Sequence, residues 1–228
     1  MEKNKKLIIY GIGETADIAY EYFTYDSPYE VVAFTVDKEY KTADVHMGIP
    51  VIDFQTVEDL YSPDNYEMFA ASTYNKLNRV RTKLYNAAKS KGYRMASYIS
   101  SKAFVWRNVT IGDNVMIFEN NVIQHLVTIG NNVVLWSGNH IGHRTAIKDN
   151  VYISSHCVIS GFCEIGENSF LGVNSTFNDN IIVEKDNIVG SGALVIKNTE
   201  AGKVMMGSPA KPALKSSYEA FNVLPEEI

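Results

Sequence analysis

The chain has 228 residues, 46% hydrophobic and 21% charged, which is room for one large or two small globular domains and too apolar for a disordered chain. A formal net charge of −5 argues against whole-surface binding to nucleic acid or an anionic membrane, and no apolar run reaches the roughly 18 residues of a membrane span. Two cysteines, Cys157 and Cys163, make no disulfide framework, and the apolar stretch Leu7–Ile12 after the basic start is too short for a secretory signal, so the cytoplasm is the expected compartment.

Residues 1–100 alternate between strand and helix. Leu7–Tyr10 reads as a short buried strand, and Gly11–Ala16 as a turn that opens a helix to about Tyr25. Val31–Val36 is a second strand ending at Asp37. Met68–Ala71 is a third, and Leu77–Lys91 an amphipathic helix closed by Gly92. Such alternation predicts a Rossmann-like α/β half-domain on a parallel sheet. The glycines of Gly11-x-Gly13-x-x-Ala16 let backbone approach a phosphate, and an acid at Asp37 takes a ribose or base donor. About 100 residues hold roughly one mononucleotide half, not the two of an NAD site. The expected ligand of Gly11, Gly13 and Asp37 is therefore the nucleotide part of a nucleotide-sugar; a bare strand–helix turn would use the same glycines. His46 stands alone and reads as an exposed loop residue.

From residue 101 the helical periodicity gives way to a repeat of six. Steps of six from Val105 to Val195 pass sixteen positions, of which fifteen are Ile, Leu or Val and the other is Phe177. Two residues before each of these anchors runs a column of small or β-branched residues that includes Cys157 and Cys163, which reads them as core filler. A period of six suits short strands joined by tight turns. Three strands close an 18-residue coil, and the coils stack at roughly 4.8 Å into about five turns of a β-solenoid.

Four of the five histidines fall between His125 and His156. His125 and His143 are one coil apart, so they stack two residues after an anchor, and Gly161 stands one coil further on. Gly161 leaves a notch into which its N–H could point. His143 beneath that N–H pairs a base with an oxyanion donor for acyl transfer. The stacked His125 is expected to disfavour double protonation and keep a neutral base available. A pair of solvated corner residues is the bland alternative, and it applies equally to His140 and His156.

Ser137-Gly-Asn-His-Ile-Gly-His143, Ser154–Gly161, Phe170–Ser175 and Gly207-Ser-Pro-Ala-Lys211 together resemble the bacterial nucleotide-aminosugar N-acetyltransferases. Their relatives are the sialic acid O-acetyltransferase-like sugar O-acyltransferases of the hexapeptide-repeat class. The resemblance runs over roughly residues 5–213. It implies a left-handed parallel β-helix over 101–212, after a nucleotide-sugar-binding domain over 1–100 and before a tail over 213–228. It also implies a homotrimer with acetyl-CoA between subunits, acetylation of a UDP-, dTDP- or GDP-linked amino sugar, and a place in glycan biosynthesis such as that of lipopolysaccharide or glycoprotein. The catalytic histidine falls on His143 and the thioester-facing amide on Gly161. Acetyl-CoA contacts fall on Tyr152, Gly161, Gly172, Gly190 and Lys211, and no metal is expected. Two departures stand out: no acid flanks His143, whose neighbours are Gly142 and Arg144, and Tyr152 stands where some members carry a second histidine. Asn139, His140 or His156 are therefore the expected partners of His143, within the chain or across a subunit interface. A sugar O-acetyltransferase of the same fold is the nearest rival. A zinc hydratase with a three-histidine site is a remoter one, since His140 and His143 are three apart rather than five. A non-catalytic nucleotide-binding protein is the third. Outward apolar groups, Phe118 and Trp136 among them, point to assembly.

Overall fold

The computed structural model describes residues 2–209 and 211–227. The chain forms two compact units. One runs to Thr73 and takes in Arg81–Tyr98; the other holds Tyr74–Val80 and everything described from Ile99 onward.

The first unit is a sheet with the strands β1 (Lys5–Tyr10), β2 (Tyr29–Val36), β3 (Val45–His46), β4 (Ile49–Asp53), β5 (Glu67–Ala70) and β6 (Arg94–Met95), in the spatial order β3-β4-β2-β1-β5-β6. All pairings are parallel except β3 with β4. Its helices include α1 (Glu14–Tyr25) and α2 (Val57–Leu60), with α3 (Arg79–Ser90) running into this unit from Arg81. Leu7, Ile8 and Ile9 of β1 are fully buried, as a strand inside a parallel sheet must be. Because β2 lies on one side of β1 and β5 on the other, the carboxyl end of β1 is a topological switch point, where open α/β sheets bind ligands.

Two differences from the sequence reading have local causes. Lys76, Leu77 and Asn78 have φ of 50°, 49° and 66°, so α3 begins at Arg79 and not at Leu77. The β3–β4 hairpin escapes a search for alternating strands because each arm is short and the turn is made by Met47 and Gly48 at φ of 49° and 78°. His46 sits in that hairpin with its ring half-buried. It bonds Asp17 at 2.5 Å and meets Phe34 edge-on, so it is not an exposed loop residue.

The second unit is a three-sided solenoid. Along the repeat the two-residue strands pair in parallel with strands 18 residues on, as Val122–Ile123 does with His140–Ile141 and Val134–Leu135 with Tyr152–Ile153; at the last coil the step shortens to 16, Ile188 pairing with Val204. The anchors from Ile117 to Val195 all belong to one buried core, with Val105 and Ile111 packed against its end. The small column is buried too: Cys157 is inaccessible and Cys163 nearly so, and burial pushes both thiols up. Its polar members answer strand carbonyls, Thr145 donating to Ser160 O at 3.0 Å and Ser169 to Glu184 O at 3.2 Å. The third residue after an anchor takes the left-handed conformation, which explains Asn114, Asn132, Asn150, Asn168, Asn174 and Asn180 there.

The tail is not a loose appendage of this unit. It carries α4 (Ser217–Phe221), opened by a capping box between Ser216 and Glu219. Val223 packs with Leu77 and Ile188, and Tyr218 donates to Asp186 at 3.0 Å. Asp186 also pairs with Arg79 at 2.5 Å.

Candidate active site

Solenoid stacking sets the column His125, His143, Gly161 and Asp179, each two residues past an anchor. The imidazoles of His125 and His143 stack with centroids 5.7 Å apart and planes 13° from parallel. Phe162 meets the His143 ring edge-on at 5.0 Å, and the Arg144 guanidinium lies 6.0 Å from the Phe162 ring. A Cβ on Gly161 would fall 2.6 Å from Cε1 and 2.8 Å from Nε2 of His143, so the imidazole itself fills the expected notch. Glycine is required there by the close approach of that ring.

The Gly161 N–H donates to Asp179 Oδ1 at 2.8 Å, an exposed carboxylate one coil on. Within the one chain described, the three expected partners of His143 have other neighbours. Asn139 is buried with both ends of its amide used: Nδ2 donates to Trp136 O, and Oδ1 accepts from the Cys157 N–H at 2.8 Å. Its polar atoms shape a corner of the coil. His140 is on the sheet face between Val122 and Val158. His156 is an exposed corner residue packed over Gly138.

Gln124, which the sequence reading passed over, is the side chain that reaches His143 within the chain. Its Oε1 accepts the His143 backbone N–H at 2.9 Å and lies 3.3 Å from His143 Nδ1. Its position carries a signal, since it lies one coil and one residue before His143.

The remaining expected contacts fall into other clefts. Tyr152 and Gly172 line a cleft of about 280 Å³ with Tyr74, Trp136, Phe170 and Ser191. Trp136 donates to the Tyr152 hydroxyl, and Tyr152 stacks on Phe170 at 5.7 Å. Gly190 precedes Ser191 and donates its N–H to Met205 O at 2.8 Å. Lys211 lines a cleft of about 420 Å³ with Lys197 and Lys203 at the last coil; Ala210, within the same motif, lies outside the described residues. Phe118 is 2% exposed and stacks on Trp136 at 4.5 Å, so the exposed apolar stripe of the solenoid is made by Phe104, Val122 and Val158 instead.

In the first unit, Gly11 has φ of +139°, and a Cβ there would fall 2.5 Å from Ala71 O, so the fold itself demands this glycine. Gly13 caps α1 with ordinary φ and open space around it, so no packing constraint accounts for it. Asp37 accepts from the Tyr10 hydroxyl at 3.1 Å and from Gln55 Nε2 at 3.2 Å. Tyr10, Asp37 and Gln55 line a cleft of about 520 Å³ with Lys38, Glu39, Phe54 and Lys83, at the carboxyl ends of β1 and β2; Gly11 and Gly13 are not part of its lining. Burial, with Asp37 beside it, holds the Tyr10 phenol well above its ordinary range.

The sequence model of the GMPPB C-terminal domain matches residues 94–203. The acetyltransferase domain of PglB from Neisseria gonorrhoeae superposes with a TM-score of 0.82 at 25% identity, over 92% of this chain and 100% of that one. A mutant of perosamine N-acetyltransferase from Caulobacter crescentus, in complex with CoA and GDP-perosamine, superposes at 0.81 and 23% identity, over 92% and 97%. The chain has the left-handed β-helix fold of the hexapeptide-repeat acyltransferases. Among curated proteins, gamma carbonic anhydrase 1 of Arabidopsis thaliana is 36% identical over 58 residues, 25% of this chain and 21% of that protein, so the match spans about a fifth of its length. Among the described residues of one chain, no group of three or more His, Cys, Asp or Glu side chains is placed to hold a metal ion. No helix is long and apolar enough to cross a membrane.

Proposed function

We propose that this chain transfers the acetyl group of acetyl-CoA to the amino group of a nucleotide-linked amino sugar. The observation that carries the reading is His143, packed against Gly161 at an open corner of the solenoid. The switch-point cleft around Asp37 on the first unit supports a nucleotide there. The cluster Lys197, Lys203 and Lys211 supports an anionic ligand such as the CoA phosphates at the last coil. The relatives solved with CoA and GDP-perosamine, and with acetyl coenzyme A, agree in chemistry.

In this reading the sugar nitrogen adds to the thioester carbonyl carbon, and His143 takes a proton from that nitrogen. The tetrahedral intermediate then collapses, the C–S bond breaks, and the imidazolium returns the proton to the departing thiolate. An oxyanion reaches the Gly161 N–H by displacing Asp179. The protein is a cytoplasmic homotrimer, with the stripe of Phe104, Val122 and Val158 covered by a neighbouring subunit and the donor site between subunits. Its product enters surface-glycan, lipopolysaccharide or glycoprotein assembly.

The test is release of free CoA from acetyl-CoA in the presence of UDP-, dTDP- or GDP-linked 4-amino sugars. Release that requires one of them supports the reading, and no release with any of the three refutes it. A solution mass near the 25.5 kDa of one chain at micromolar concentration refutes the trimer and its shared sites.

A further inference from the structure

We propose that Gln124 is the positioning residue that sets the tautomer of His143, holding the proton on Nδ1 and leaving Nε2 bare to act as base. The inference rests on the reading of His143 as that base.

The argument begins with the amide. A glutamine side chain ends in one acceptor and one donor, and its orientation is decided by an unambiguous neighbour. The neighbour here is the backbone N–H of His143, which can only donate, 2.9 Å from Gln124 Oε1. The oxygen, not the nitrogen, therefore faces the histidine. The same oxygen is 3.3 Å from Nδ1, so the favourable state of the ring presents Nδ1–H to it. Gly161 faces the plane of the ring, a Cβ there falling 2.8 Å from Nε2 and 3.0 Å from Nδ1, so the Gln124 contact is what distinguishes the two ring nitrogens. A free imidazole in water prefers its proton on Nε2, so the contact opposes the intrinsic preference and selects the tautomer that base catalysis needs. The other titratable or charged groups about the ring are His125 stacked on it, Arg144 next in the chain, and Asp179 on the Gly161 N–H. Neither His125 nor Arg144 is a carboxylate acceptor, and Asp179 accepts the Gly161 N–H at 2.8 Å, whereas Gln124 Oε1 is the acceptor beside Nδ1. Gln124 thus occupies the role that an acid takes in many base histidines. Being neutral, it sets the tautomer without stabilising the imidazolium by a full charge.

The test uses the full-length, ¹⁵N-labelled protein and has two readouts. Nitrogen–proton correlation spectra, with His143→Ala to assign the resonances, are expected to show His143 protonated on Nδ1. Gln124→Leu should move it toward the Nε2–H form and lower kcat by roughly 10–100-fold, the cost typical of removing a group that orients a histidine. Both KM values should change little. Gln124→Glu should restore the Nδ1–H form and most of kcat. It should also move the acidic limb of the kcat/KM profile to higher pH, because a carboxylate favours the protonated ring. An unperturbed His143 that carries its proton on Nε2, or Gln124→Leu with unchanged tautomer and kcat, overturns the proposal. If His143→Ala keeps full turnover, the base reading fails on its own, and the spectra still decide whether Gln124 fixes the ring.

Discussion

Gly161→Ala tests the closest approach in the site. The added Cβ would fall 2.6 Å from His143 Cε1. Carbon atoms in contact sit at about 3.5 Å or more, so the ring must withdraw by about 0.9 Å. Displacing a reacting group by about 1 Å costs on the order of 100-fold in rate. The ring is only half-buried and can move, so the stability loss should stay near the lower end of the ~1–3 kcal/mol typical of overpacking. The expected result is a kcat lower by about 100-fold, with a thermal midpoint close to that of the unaltered protein. Steady-state release of CoA thiol measures the first, and a thermal melt the second. The double variant His143→Ala with Gly161→Ala completes a cycle: if the alanine acts through the ring, it adds nothing once the ring is gone. Gly161→Ala with unchanged kcat, or a double variant about 100-fold below His143→Ala, would refute the reasoning.

Asp179→Ala should free the Gly161 N–H and raise kcat/KM for acetyl-CoA by roughly tenfold at most, since an exposed hydrogen bond to a charged group is worth about 1.5 kcal/mol before screening; a fall would show that Asp179 assists catalysis. The two glycines of the first unit should separate. Gly11→Ala, forced against Ala71 O, should lower the thermal midpoint strongly, whereas Gly13→Val, a poorer helix cap in open space, should lower it less and raise KM for the nucleotide-sugar; melts and kinetics on both variants check this. Burial pushes the Tyr93 phenol up to about 12 from 10.0. The unfolded chain therefore loses that proton first, and stability should fall as pH rises from 10 toward 12. Melts across this range, read with phenolate absorbance, would count against the claim if the midpoint held steady while Tyr93 ionised in the native state.

The six-residue repeat was legible because each coil imposes the same choice: an apolar anchor inward, a small residue two before it, and a left-handed corner three after it. Local sequence therefore carried the solenoid from Val105 to Val195, and with it the stacking of His125, His143 and Gly161. The first unit was legible as strand, turn and helix, because its strands are buried apolar runs and Gly11 has a conformation only glycine readily adopts. Side-chain partnerships were not legible, since they depend on which rotamer meets which neighbour one coil away. Asn139 looked available to His143 by proximity in sequence, yet its amide closes a corner around Trp136 O and the Cys157 N–H. Gln124, nineteen residues from His143, reached the imidazole because stacking turns an 18-residue separation into adjacency. Asp179 reached the Gly161 amide in the same way. The tail lacked any signal in the repeat, and tertiary contacts joined it to the solenoid unit, Val223 packing against Leu77 and Ile188 and Tyr218 bonding Asp186. The sequence by itself determined which residues share a column, because the backbone period does that; the tertiary structure alone decided which of them touch, because the strand ladders pair residues of neighbouring coils, 18 apart in the chain, and the rotamers then choose the partners.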